Sequence, residues 1–223
     1  GVDCSDHEVN IKILLNAMVA DGSMTLPQRN KLLEKMTSEI AELVLRDNYE
    51  QTQLLSLEAS VASQTMDLFR RYMNELEKAG RLNRKLEFLP NDKMLLERKA
   101  NGQALTRPEL AILVAYCKMF LKQDILASDV VEDPYFEKHL AMAFPKILSQ
   151  KYLPQMQQHS LRREIIATQL AKNLTDHMGI NFVERLQRET GASVAFIMRS
   201  YVIAEQIYKM DELWRQIEAL DFK

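Results

Sequence analysis

Cys4 and His7 stand in a C-x-x-H arrangement, which is half of a zinc pattern. A zinc site needs three or four ligands. His139, His159 and His177 lie on other elements without paired spacing, so no metal site is expected and both residues read as structural. Ser5 is more ambiguous. At a helix N-terminus its hydroxyl can cap the backbone, and the same free N–H groups and positive dipole end can hold a carboxylate. Asp3, Asp6 and Glu8 crowd it with negative charge. The first nearby cation, Lys12, is about two turns further on. Taken alone, Ser5 reads as a cap. Cys117 sits in an apolar stretch and reads as a buried thiol. Lys78, Arg81, Arg84 and Lys85 form a local basic cluster that could meet an acidic partner or a phosphate; a solvated hinge is the favoured reading. The six glycines make neither a G-x-G-x-x-G nor a P-loop pattern. The twelve methionines, Met66, Met73, Met142 and Met198 among them, read as core filler rather than an adaptable groove. No catalytic constellation is complete.

The elements that must position these residues are helices. The central one is Leu161 to Met178, where Leu161, Ile165, Ile166, Leu170, Leu174 and Met178 recur at three- and four-residue spacing. Arg162, Lys172, Asn173 and Asp176 fall on the other side, Ser160 is placed to cap the start, and Gly179 to end it. Ser5 and Glu8 have capping-box spacing ahead of a first helix that reaches Ala20. Thr25 with Gln28 starts a second, to about Met36. A third region runs from Ser38 to Gly80, as one helix or as two kinked near Asn48. Segment 81–90 is the least regular and marks a boundary between an N-terminal part, 1–80, and a C-terminal bundle, 81–223. Asp92–Ala100 is a short helix, and Thr106-Arg107-Pro108-Glu109 opens an apolar one that belongs in the centre. Asp133-Pro134 starts another helix with Phe136, Leu140 and Phe144 inward, and Pro145 and Pro154 break the stretch from Phe144 to Met156 into short pieces. Asn181 with Glu184, and then Ser193, open two more helices; a last one carries Leu213, Trp214, Ile217 and Leu220. No alternating strand pattern and no fixed repeat is present. The fold class is all-α, a bundle of roughly eight to eleven amphipathic helices without a sheet.

Bulk properties narrow the function classes. With 223 residues and 47% apolar content the chain can bury a core. A net charge of -2 argues against a dedicated nucleic-acid binder. The longest apolar run, 110–117, is far short of the ~20 residues of a membrane span. Two distant cysteines do not make a disulfide framework and suit a reduced, cytoplasmic setting. A chain that opens on Gly1 rather than methionine suggests a piece of something longer.

The opening GVDCSDHEVNIK resembles the end of the catalytic region of the large NAD-specific glutamate dehydrogenases of bacteria. The family's G-V-x-x-S-x-x-E run is matched by Gly1, Val2, Ser5 and Glu8, with Asp6-His7 in place of the usual aromatic pair. TRPELAILVAYCK, SLRREIIATQLAKN, ETGAS and LWRQIEALD are similar to the C-terminal helical region of the same enzymes. The resemblance implies that Ser5 contacts a carboxylate of glutamate and that Val2 lines the side-chain pocket. It implies an oxidoreductase that passes a hydride from glutamate to NAD. The dinucleotide fold and the catalytic lysine and aspartate would lie upstream. The implied partners are those upstream domains, L-glutamate and further copies in a homo-oligomer. The segment would be inactive alone and would brace the catalytic domains. The alternative is a free-standing helical interaction or regulatory module.

Overall fold

The computed structural model describes the backbone of residues 2–220 and the side chains of residues 6–220. Among these residues there are twelve α-helices and no strand. They are α1 (Val2–Ala20), α2 (Leu26–Val61), α3 (Met66–Lys78), α4 (Asp92–Ala100), α5 (Arg107–Leu126), α6 (Glu137–Met142), α7 (Lys146–Lys151), α8 (Leu153–Gln157), α9 (Arg162–Met178), α10 (Phe182–Thr190), α11 (Val194–Ile207) and α12 (Met210–Glu218). Two short 3-10 turns, Val130–Glu132 and Pro134–Phe136, lead into α6.

Helix starts follow the local chemistry where the cap residue is extended. Thr25 and Thr106 each form a complete capping box, with Gln28 and Glu109 returning a side-chain bond to the cap backbone. Asn91 accepts from Met94 N and Ser193 from Phe196 N. Three expected caps are not used as such. Helix α1 begins at Val2, so Ser5 lies within its first turn, and its side chain is outside the described residues. Ser160 does not cap α9. His159 Nδ1 accepts from Leu161 N instead, which leaves its Nε2–H to donate to Asn10 O on α1. Asn181 has a helical backbone, and its side chain makes no cap bond.

Helix α2 joins two elements that the sequence pattern separates, and it does not stop at Asp47-Asn48. Asn48 Nδ2 donates back to Val44 O, and Asp47 is taken by neighbouring helices. The break falls at 62–65, where Thr65 Oγ1 and N both bond Val61 O.

Two buried clusters result. The first gathers Ile11, Leu14, Leu15 and Met18 of α1, Leu32 and Met36 of α2, Leu121 and Ile125 of α5, α6 to α9, and Met198 and Val202 of α11. The second gathers Leu54 and Ala62, the inner face of α3, Leu82, Leu89, Leu95, Leu110 to Cys117, and Ile180. Helices α2 and α5 run through both, and each cluster takes side chains from either side of residue 80. Met66, Met73 and Met198 are core as expected, but Met142 is 52% exposed at the end of the short α6. The basic cluster is not a solvated hinge. Arg81 makes a two-pronged pair with Asp124, Lys78 meets Glu75, and Arg84 is buried among Glu77, Asp92 and Asn74.

Candidate functional site

Lys172, expected on the outer face of α9, is buried. Its ammonium lies 3.1 Å from Asp47 Oδ1 and 3.2 Å from Asp176 Oδ2, and it also contacts Glu50. Asp176, on the same supposed outer face, is buried too, and Lys118 of α5 reaches its Oδ1 at 2.6 Å. Burial works against the charged form of Lys172, but Asp176, Glu50 and Asp47 together outweigh it and hold its pKa above the ordinary lysine value. Burial likewise opposes ionised Asp47 and Glu50; bonds from His7 and Lys172 to the first, and Lys172 and Arg46 to the second, prevail and lower both pKa values. Such a lysine is a fixed cation, not a general base or an amine nucleophile.

His7 closes the network on the α1 side. Its Nε2 is 2.9 Å from Asp47 Oδ2 and its Nδ1 is 3.1 Å from Ala143 O. Both ring nitrogens face acceptors, an arrangement that only the imidazolium satisfies with two donors. The network therefore fastens α1, α2, α5 and α9 to one another, with the chain after α6 held through Ala143 O.

A cleft of about 650 Å³ opens over this network. Residues of α2, α7, α9 and α12 line it, including Glu42, Arg46, Lys146, Asn173 and Trp214. Trp214 stacks on His177 with ring centroids 3.7 Å apart and holds α12 over the cleft. His177 Nδ1 is 3.1 Å from Tyr201 OH, which donates to Glu205 Oε1. Burial lowers the pKa of His177 and raises that of Glu205, whose nearby Asp211 adds to the shift.

Of the sequence candidates, the cleft brings together His7, Met142 and His177. The side chains of Val2, Cys4 and Ser5 are outside the described residues. Among the described residues no group of His, Cys, Asp and Glu could hold a metal ion. Cys117 is a buried free thiol, with Sγ 3.4 Å from Ile180 O and its pKa raised by burial. Sequence reasoning does not single out Lys172, Asp47, Glu50 and Asp176 as a group. A signal is nevertheless present: Asp47 falls seven residues after Ile40 and seven before Leu54, and Lys172 seven after Ile165, so charges occupy apolar phases.

Residues 102–223 match the family model described as glutamate dehydrogenase, C-terminal, and residues 1–58 match the one described as bacterial NAD-glutamate dehydrogenase, catalytic domain. The chain is 51% identical over 223 residues to the NAD-specific glutamate dehydrogenase of Halomonas elongata and 49% identical over 223 residues to that of Pseudomonas aeruginosa, in both cases along its whole length. It is 38% identical over 219 residues, 98% of its length, to that of Mycobacterium tuberculosis. It spans 14% of each relative. No solved structure matches it.

Proposed function

Given that the chain belongs to the glutamate dehydrogenase C-terminal family, we propose that it is the helical segment of an NAD-dependent glutamate dehydrogenase and braces that enzyme's catalytic region. The parent reaction takes L-glutamate, NAD and water to 2-oxoglutarate, ammonia and NADH. Hydride leaves the α-carbon for NAD, and water hydrolyses the resulting imine. NAD and the catalytic groups belong to upstream domains, and this chain contributes the substrate-facing edge that Ser5 and Val2 form by resemblance. The enzyme is cytoplasmic and works as a homo-oligomer.

The observation that carries the bracing role is the sharing of Asp47. His7 and Asp47 lie in the part that matches a catalytic domain, Lys172 in the part that matches the C-terminal family. Asp47 bonds both. His7 is two residues from Ser5, so whatever holds His7 holds the first turns of α1.

Two experiments test this reading. The purified 223-residue chain should form no NADH from glutamate, whereas the intact polypeptide should; sustained turnover by the chain alone would sink it. Removing residues 81–223 from the intact enzyme should impair folding or activity, and full retention of both would contradict the bracing role.

A further inference from the structure

Phe88 combines two features that a free surface disfavours. Its backbone has φ +54°, in the left-handed region that bulky side chains rarely adopt. Its ring is 91% exposed. Leu86, two residues earlier, is 71% exposed. The segment that carries them is not slack. Leu82, Arg84, Leu89 and Pro90 are buried beneath it. Arg84 donates to Glu77, Asp92, Asn74 and Pro90 O, while Leu89 N donates to Arg84 O at 2.9 Å and Glu87 N to Asn83 O at 3.1 Å. Tyr116 OH holds Glu87 Oε1 at 2.8 Å. Buried supports thus hold two apolar side chains outward in one geometry, and strain is retained where the surroundings over-determine it. A rigid aromatic held in advance is what an interface anchor requires.

We propose that Leu86 and Phe88 form a docking knob that enters an apolar pocket on a part of the same polypeptide outside these 223 residues. The relatives favour this occupant, since the chain spans only 14% of their length and most of the surface available to it lies elsewhere in the polypeptide. The match to the catalytic domain runs down α2 to Leu54, which shares a buried cluster with Leu82 and Leu89 at the base of the knob. Three charges around the knob are engaged within the chain, Arg81 by Asp124, Arg84 by Glu77 and Asp92, and Glu87 by Tyr116. That leaves the exposed Lys85 beside two apolar side chains, so apolar contact is the main thing the knob offers.

The inference rests on the reading of the chain as a segment of a larger dehydrogenase, and glutamate-dependent NADH formation by the wild-type protein checks that separately. The test compares the intact enzyme with its Phe88→Gly and Leu86→Ala variants by hydrogen–deuterium exchange, thermal inactivation and native mass. Phe88→Gly removes both the ring and the positive-φ strain, so a ring that faces water predicts a higher inactivation temperature. A docked ring predicts a lower one. It also predicts that exchange in one segment outside residues 1–223 rises roughly tenfold or more, with α3 to α5 still protected. Leu86→Ala, at a residue with ordinary φ, should deprotect the same segment more weakly. A higher inactivation temperature with unchanged exchange outside the chain would overturn the proposal. So would dissociation into smaller species without deprotection of such a segment, since that result assigns the knob to a second copy.

Discussion

His7 and Lys172 divide one carboxylate between them: Asp47 gives Oδ2 to the histidine at 2.9 Å and Oδ1 to the lysine at 3.1 Å. The two side chains stand on α1 and α9, 165 positions apart in sequence, on either side of a single carboxylate on α2. A carboxylate placed in this way is a geometric constraint more than a source of net stability, because removing charges from water offsets much of what pairing them returns.

Removing one member should therefore be severe. Lys172→Met leaves Asp47, Glu50 and Asp176 facing one another with fewer cations. It should lower unfolding stability by about 3–5 kcal/mol, as breaking a buried pair does. Urea unfolding at neutral pH reads this directly. A loss below ~1 kcal/mol would place the network in the weak class of surface pairs.

The same network sets an acid limit. Asp47 and Glu50 have folded pKa values below their ordinary 3.8 and 4.5. Their contribution is present above those ordinary values and is lost as pH falls through the folded ones. Stability of the wild type should drop steeply below about pH 4.5, and that of Lys172→Met less steeply, so the two curves should converge in acid.

His139 acts in a higher window. It is 2% exposed, neither ring nitrogen has a partner, and burial pushes its pKa from 6.5 down to about 4. The unfolded chain binds a proton below pH 6.5 that the folded one refuses until about pH 4. Stability should fall across that interval by ~3 kcal/mol. His139→Leu should flatten the curve between those limits, leaving the smaller contribution of His177 in the same direction. Unfolding midpoints at several pH values measure it.

Gly179 ends α9 with φ +86°, and a Cβ there would stand 2.6 Å from Glu58 Oε1, the acceptor for Ile180 N. Gly179→Ala should cost about 1–3 kcal/mol, from the left-handed backbone and from displacing Glu58. Thermal denaturation checks it, and Glu58→Gln in the same background should not restore the loss.

Most helices are legible in the sequence because apolar spacing and caps agree, as at Thr25, Thr106 and Ser193. The differences fall where a polar residue has a distant partner. Asp47 resembles an interruption of α2, and Lys172 and Asp176 resemble a solvated face, because sequence spacing shows a charge without showing what neutralises it. Ser160 loses its place as a cap to His159, whose ring is fixed by Asn10 O across the bundle. The family resemblance is carried by short blocks along the chain. The cleft lies beyond the reach of sequence patterns, since α2, α7, α9 and α12 meet there only through long-range contacts.

The measurement that tests the central claim most directly is steady-state kinetics of the intact dehydrogenase carrying Asp47→Asn. If the helical segment braces the substrate edge through this carboxylate, loosening α1 should lower kcat/KM for glutamate by roughly tenfold or more, with the KM for NAD unchanged. Unchanged glutamate kinetics in a variant that has lost several kcal/mol of stability would show that Asp47 holds the bundle together without serving the catalytic region.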